Sequence, residues 1–236
     1  MLNIFFDLDL TLIIRRDIDQ VLSGVQLDYL SSQTSNLTVN GSQSFNGVDI
    51  VFSPLYQQLH QQLFLNLVLA GSRARFHFIT AGSYEQSPTC LALNTFFSNS
   101  DRRVQRAINS SDFINRSFLD GLIGRKLDDF EGDPEERNDK LVEALAVAKA
   151  DYIERVLMSQ SVKTRNNMIL IDDSEANREI AVKRGFQVIN PTDDTYPIII
   201  RTLASAISGD YSFYSFHNHE IKKEILFYNQ EADIYT

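Results

Sequence analysis

Two apolar runs in this chain stop at carboxylates with no turn between. Leu2, Ile4, Phe5 and Phe6 lead into Asp7-Leu8-Asp9, and Asn167-Met168-Ile169-Leu170-Ile171 leads into Asp172-Asp173. The second run is almost continuously apolar, which is the pattern of a strand covered on both faces by helices, as in a parallel sheet. In an open sheet of that kind the C-terminal strand ends present ligand-binding groups. Side chains alternate along an extended chain, so Asp7 and Asp9 can face the same way. Carboxylates this close repel one another unless a cation lies between them.

The segments between these runs alternate between strand and helix. Val21, Leu22, Val25, Leu27 and Leu30 suggest a short helix, and Ser31 to Asn36 reads as loop. Leu37 to Val39 and Val48 to Phe52 flank Gly41, Asn46 and Gly47, the pattern of two short strands about a turn. This hairpin falls where a flap could cover the first pair of carboxylates. Ser53-Pro54 has the form of a helix start, Leu55 to Ala70 keeps helical spacing, and Gly71 ends it. Arg75 to Ile79 alternates as a strand that stops at Thr80-Ala81-Gly82-Ser83. There a hydroxyl and backbone N–H groups can hold a phosphate.

Pro88 to Phe97 and Arg102 to Ile108 read as helices, and Phe118 to Ile123 as a third strand. Asp128 to Glu136 reads as a solvated acidic loop broken by Gly132 and Pro134. Asn138 to Met158 is the clearest helix, with Leu141, Leu145, Ala148, Tyr152 and Val156 on one face. Lys140 falls in its expected first turn, where the helix dipole disfavours a cation. After Asp172-Asp173 come a helix, a strand over Phe186 to Ile189 and a helix over Tyr196 to Ile207. The remainder is rich in aromatics, with a helical piece at Ile221 to Phe227. Its His217 and His219 have no third metal ligand at useful spacing.

Composition narrows the function. A net charge of -9 and a pI near 4.9 argue against electrostatic binding of nucleic acid or a membrane surface, since both need a cationic face. Cys90 is the single cysteine, so no intramolecular disulfide forms and a reducing, cytoplasmic compartment is expected. Phe96 stands where a cysteine-type phosphatase loop needs arginine. The first residues enter a strand at once, leaving no room for a secretory signal, and the apolar stretch Leu63 to Ala70 is too short to span a bilayer.

In chain order, Asp7-Leu8-Asp9-Leu10-Thr11, Ile79-Thr80, Lys140 and Ile171-Asp172-Asp173-Ser174-Glu175-Ala176-Asn177 resemble the four motifs of the haloacid dehalogenase (HAD) superfamily. The resemblance spans roughly Asn3 to Ile189. The second acid, Asp9, places it with the phosphatase branch rather than with dehalogenases. Leu10, where many relatives carry Gly, Glu or Asn, points to no subfamily.

The resemblance implies an α/β, Rossmann-like three-layer sandwich with a mainly parallel central sheet. This core would span residues 1–207, with a small flap or cap insertion at about 15–52 and an aromatic extension over 208–236. It further implies a Mg²⁺-dependent phosphohydrolase. In that reading Asp7 is the nucleophile that forms an aspartyl-phosphate, and Asp9 is the general acid and base. Asp7, the Asp9 carbonyl and Asp173 hold the metal, with Asp172 behind them or exchanging roles with Asp173. Thr80 and the Ala81 N–H bind phosphoryl oxygens, and Lys140 neutralises the remaining charge. Lys126 is the alternative for that cation, and Lys163 stands too close to the last motif. A small insertion suits a large substrate, so a phosphorylated protein side chain, including phosphotyrosine, stands beside small metabolites as the expected partner. A HAD-like binding module without turnover and a phosphotransferase are the competing readings.

Overall fold

The structure, a computed structural model, describes residues 1–31, 37–39, 50–124, 130–161 and 164–209. Its elements in chain order are β1 (Leu2–Phe6), β2 (Ile13–Arg15), α1 (Gly24–Ser31), β3 (Leu37–Val39), β4 (Ile50–Pro54), α2 (Gln57–Leu69), β5 (Ala74–Ile79) and α3 (Gln86–Phe97). There follow α4 (Arg102–Ser110), β6 (Phe113–Ile114), α5 (Arg116–Ile123), α6 (Pro134–Met158), β7 (Met168–Ile171), α7 (Glu175–Lys183), β8 (Gln187–Ile189) and α8 (Tyr196–Ser208). Five strands form one sheet in the order β6-β5-β1-β7-β8, and every pairing in it is parallel. The expected α/β, Rossmann-like three-layer architecture is therefore what the chain adopts.

Strand alternation builds the layers. Ile4 and Phe6 of β1, Phe76 and Phe78 of β5, and Ile169 and Ile171 of β7 pack on one face with Leu63 of α2, Phe97 of α3 and Ile200 of α8. Phe5, Ile79, Met168 and Leu170 pack on the other with Leu119 of α5, Leu145 and Ile153 of α6, and Ala181 of α7. The chain begins its sheet in the middle, moves out to one side through β5 and β6, then returns to lay β7 against the other flank of β1. Strand order reverses at β1 and β7, which is the crevice position where open α/β sheets bind ligands.

A second, antiparallel sheet, β2-β4-β3, is formed by residues that follow the first strand. The expected strand at 37–39 appears here as β3 and the described part of that at 48–52 within β4, which lies between β3 and β2; Val48 and Asp49 lie outside the described residues. The turn residues Gly41, Asn46 and Gly47, the loop at 32–36, Lys126, Lys163 and the tail from 210, with His217 and His219, lie outside the described residues.

Three local readings are corrected. Ser53-Pro54 starts no helix: Pro54 is the last residue of β4, paired with Ile13. The helix begins only after Tyr56, whose left-handed backbone (φ 50) turns the chain. A strand end accommodates proline as readily as a first helical turn does, and pairing with β2 decided between them. Phe118 to Ile123 is helical, within α5, because Asn115 caps its start by accepting from the Phe118 N–H and Gly124 (φ 68) ends it. The strand at that point is β6. Finally, α6 begins at Pro134 with Asp133 accepting from the Glu135 and Glu136 N–H groups, so Lys140 is not in its first turn.

Between α2 and α8 lies His60, fully buried, with Nε2 2.7 Å from the Tyr196 hydroxyl. Burial pushes its imidazole down to about 3. The unfolded chain takes up this proton below about pH 6.5 while the native state does not, so stability is present above that value and is lost as pH falls toward the native value. In urea denaturation from about pH 7 to about pH 5, wild type should lose roughly 2 kcal/mol more than His60→Leu does. Identical pH slopes would remove His60 as the source.

Candidate active site

Three carboxylates and one ammonium meet at the C-terminal ends of β1 and β7. The Asp7 N–H donates to the Ile171 carbonyl at 2.9 Å, which extends the β1–β7 pairing by one step and sets Asp7 beside Asp172. The strand alternation carried one residue further puts both on the side of Phe5 and Leu170, the face that α6 covers. From α6 the ammonium of Lys149, 1% exposed, donates to Asp7 Oδ1 at 2.8 Å and to Asp172 Oδ2 at 2.7 Å. Oxygens of Asp7, Asp172 and Asp173 all lie within 4.8 Å of one another.

The two neighbouring aspartates differ in what surrounds them. Asp172 is fully buried and saturated: Oδ1 accepts from the Ser174 N–H and from Asn177 Nδ2, both at 2.9 Å, and Oδ2 accepts from Asn177 Nδ2 at 3.0 Å as well as from Lys149. The Arg178 guanidinium ties down the carbonyls of Asp172 and Asp173. Asp173 is half-buried at the mouth of the cluster, with no side-chain donor among the described residues. Asp7 Oδ2 likewise accepts no hydrogen bond from a described residue.

Charge is unbalanced here. Burial raises Asp7 well above the usual carboxylate range; Lys149 opposes the rise, while Asp172, Asp173 and Asp9 add to it. Asp173 is pushed up to about 6 by burial and by Asp172. Burial favours loss of the Lys149 proton, but the two carboxylates it touches outweigh that and hold it as an ammonium. Lys149 is the cation bonded to these carboxylates, and by itself it does not balance Asp7, Asp172 and Asp173. The donors of this triad are all oxygens, the set that a hard divalent ion such as Mg²⁺ prefers. The Asp7 and Asp173 carboxylates, whose oxygens are not all taken up by donors as those of Asp172 are, are the groups of the triad that could hold such an ion.

Asp9 sits apart from that triad. The strand pairing stops at Asp7, so the extended geometry expected for Asp7-Leu8-Asp9 does not reach Asp9. Beyond Asp7 the Leu8 carbonyl collects the N–H groups of Thr11, Leu12 and Ile13, and Leu10 takes a left-handed backbone (φ 55). Buried Gln26 secures this turn by donating to the Leu10 carbonyl at 2.6 Å. The Asp9 carboxyl accepts from the Tyr84 hydroxyl at 2.6 Å. Burial raises it above the ordinary range, against the pull of Tyr84, Arg15, Lys149 and Gln20.

The β1–β5 register, Phe6↔Phe78, brings Thr80 to the same sheet edge. Thr80 Oγ1 accepts from the Gly82 N–H at 3.0 Å, while the Ala81 N–H donates to no described residue.

Lys140 does not join this site. It is exposed on α6, and its ammonium donates to the Glu131 carbonyl at 2.7 Å. Lys149, nine residues on, occupies the place expected for it. The sequence carried a signal: Lys149 lies four residues after Leu145 and four before Ile153, between Ala148 and Ala150, a cation inside an apolar stripe.

No family model matches the chain, and no curated protein matches it. Among solved structures, an uncharacterized protein from Corynebacterium glutamicum matches with 15% identity over 87% of this chain and 96% of that one, at a TM-score of 0.37.

Removing the ammonium should strand two buried carboxylates. Lys149→Met is expected to cost about 3–5 kcal/mol in denaturant unfolding at neutral pH. Lys140→Ala should leave stability unchanged. Equal effects of the two substitutions would contradict the placement of Lys149.

Proposed function

We propose that the chain is a HAD-like, Mg²⁺-dependent phosphohydrolase that acts on a phosphomonoester through Asp7. The observation that carries this reading is the meeting of Asp7, Asp172 and Asp173 with Lys149, from three segments far apart in sequence, at the point where the strand order reverses. Phosphoryl transfer needs a nucleophile, a proton donor for the leaving oxygen and compensation of the phosphoryl charge. The groups present match that list.

Lys149 occupies Asp7 Oδ1, so Oδ2 is the oxygen that attacks phosphorus. As the new bond forms, the bond from phosphorus to the leaving oxygen breaks, and Asp9 gives its proton to that oxygen. Asp9, now a carboxylate, takes a proton from a water whose oxygen attacks the aspartyl-phosphate. Inorganic phosphate leaves and Asp7 is restored. The raised Asp9 carboxyl suits the first of these duties. The Thr80 hydroxyl and the Ala81 N–H bind phosphoryl oxygens, and Lys149 both orients Asp7 and offsets negative charge. Mg²⁺ held by Asp7, the Asp9 carbonyl and Asp173, when bound, supplies the remaining neutralisation. Asp172, whose oxygens are already spent on four donor contacts, orients Lys149 and braces the Asp173 turn.

The substrate is a phosphorylated small molecule or a phosphorylated protein side chain; no helix among the described residues is long and apolar enough to cross a membrane. Hydrolysis of para-nitrophenyl phosphate should require Mg²⁺, and Asp7→Asn should lower kcat by at least about a thousandfold while the protein stays folded. A folded wild type that binds Mg²⁺ without hydrolysis would make the chain a binding module instead. Capture of the phosphoryl group by an added alcohol would make it a phosphotransferase.

A further inference from the structure

Among the groups around the acidic cluster, Tyr84 has no part in the chemistry above, yet its hydroxyl makes a 2.6 Å contact with Asp9 Oδ1. We propose that Tyr84 is the positioning residue for proton transfer: it holds one oxygen of the Asp9 carboxyl so that the other is presented to the leaving oxygen. This rests on the phosphohydrolase reading and adds to it the residue that aims the acid.

The geometry around Tyr84 is that of a fixed strut. The side chain is 3% exposed. Its ring lies so close to Gly82 that a Cβ there would fall 2.3 Å from Tyr84 Cε2, so the turn after β5 admits this ring only with glycine at 82. Phe52 of β4 meets the ring edge-on, centroids 5.7 Å apart at 66°. From beyond β6, Asn115 Nδ2 donates to the Tyr84 carbonyl at 2.8 Å, and the Arg116 N–H donates to the Gly82 carbonyl at 3.0 Å. The Tyr84 backbone and ring are thus fixed from the antiparallel sheet and from the β6–α5 turn.

The main chain at Asp9 makes a single bridge to Ile13 and no continuous ladder, so its carboxyl depends on side-chain partners, Tyr84 foremost and Gln20 beside it. Asp9 sits in the turn before left-handed Leu10, past the end of β1. A carboxyl free to rotate would face the leaving oxygen only part of the time, and proton transfer falls off steeply with such misplacement. A tyrosine with few rotatable bonds, its ring packed against Gly82 and Phe52, limits that rotation at little entropic cost. The main-chain turn places the acid, and Tyr84 sets its angle.

The test is leaving-group dependence, because protonation matters for a poor leaving group and little for a good one. kcat/KM, which covers the steps through departure of the leaving group, is measured with phenyl phosphate and with dinitrophenyl phosphate in Mg²⁺. Tyr84→Phe keeps the ring and its packing. It should lose about tenfold or more on phenyl phosphate and stay within about twofold on dinitrophenyl phosphate, a weaker form of the pattern expected for Asp9→Asn. Gly82→Ala, which displaces the ring, should show the same selective loss. Equal losses on both substrates, or no loss on phenyl phosphate, would overturn the role of Tyr84 while leaving the phosphohydrolase intact. A wild type that turns over neither substrate would overturn the phosphohydrolase reading, and this proposal with it.

Discussion

The ammonium of Lys149, shared between Asp7 and Asp172, is the interaction on which the site depends. Withdrawing these ions from water costs more than a single salt bridge returns, so such an arrangement is weak evidence for stability and stronger evidence for use. Nor does the lysine balance the acids it meets. Asp173 and Asp9 add further negative charge, and burial together with these neighbouring acids raises Asp7 and Asp173. The excess of acid lies at the open end of the sheet, and the proposed cation would offset it.

The fold makes that arrangement from simple rules. Alternation along β1 and β7 decides that Asp7 and Asp172 face α6 rather than α2 and α8. Parallel pairing in register aligns their strand ends, and the reversal of strand order at β1 leaves the crevice open above them. The long α6 then needs only one turn of its buried stripe to carry lysine instead of an apolar residue. On the other side, the turn after β5 and the small antiparallel sheet reach Asp9 through Tyr84 and Phe52. Asp7 and Asp9 are one residue from being neighbours in sequence, yet their carboxyls are held by different parts of the molecule.

Much of this was legible in the sequence because burial on both faces leaves an unmistakable apolar run. The strands bearing Asp7, Thr80 and Asp172 and the helices after them stand close to where their patterns put them. What sequence could not decide were the choices made by tertiary partners. Ser53-Pro54 suits a helix start until β2 pairs with residues 52–54, and Phe118 to Ile123 suits a strand until Asn115 caps it as a helix. Lys140 drew attention through a supposed first turn that vanished when α6 began at Pro134. Lys149, flanked by alanines on the apolar stripe, was the better signal, since a lysine there must find a buried acid. Tyr84 gave no sequence signal of its own: its link to Asp9 spans 75 residues and exists only in the fold.

The central claim is that these acids form one divalent-cation site that Lys149 leaves undercompensated. Calorimetric titration of the folded protein with Mg²⁺ tests it most directly, because it needs no knowledge of the substrate. The account predicts saturable binding of one ion per chain, lost or weakened by at least about tenfold in Asp173→Asn. Absence of binding in the wild type, or undiminished binding in Asp173→Asn, would contradict it.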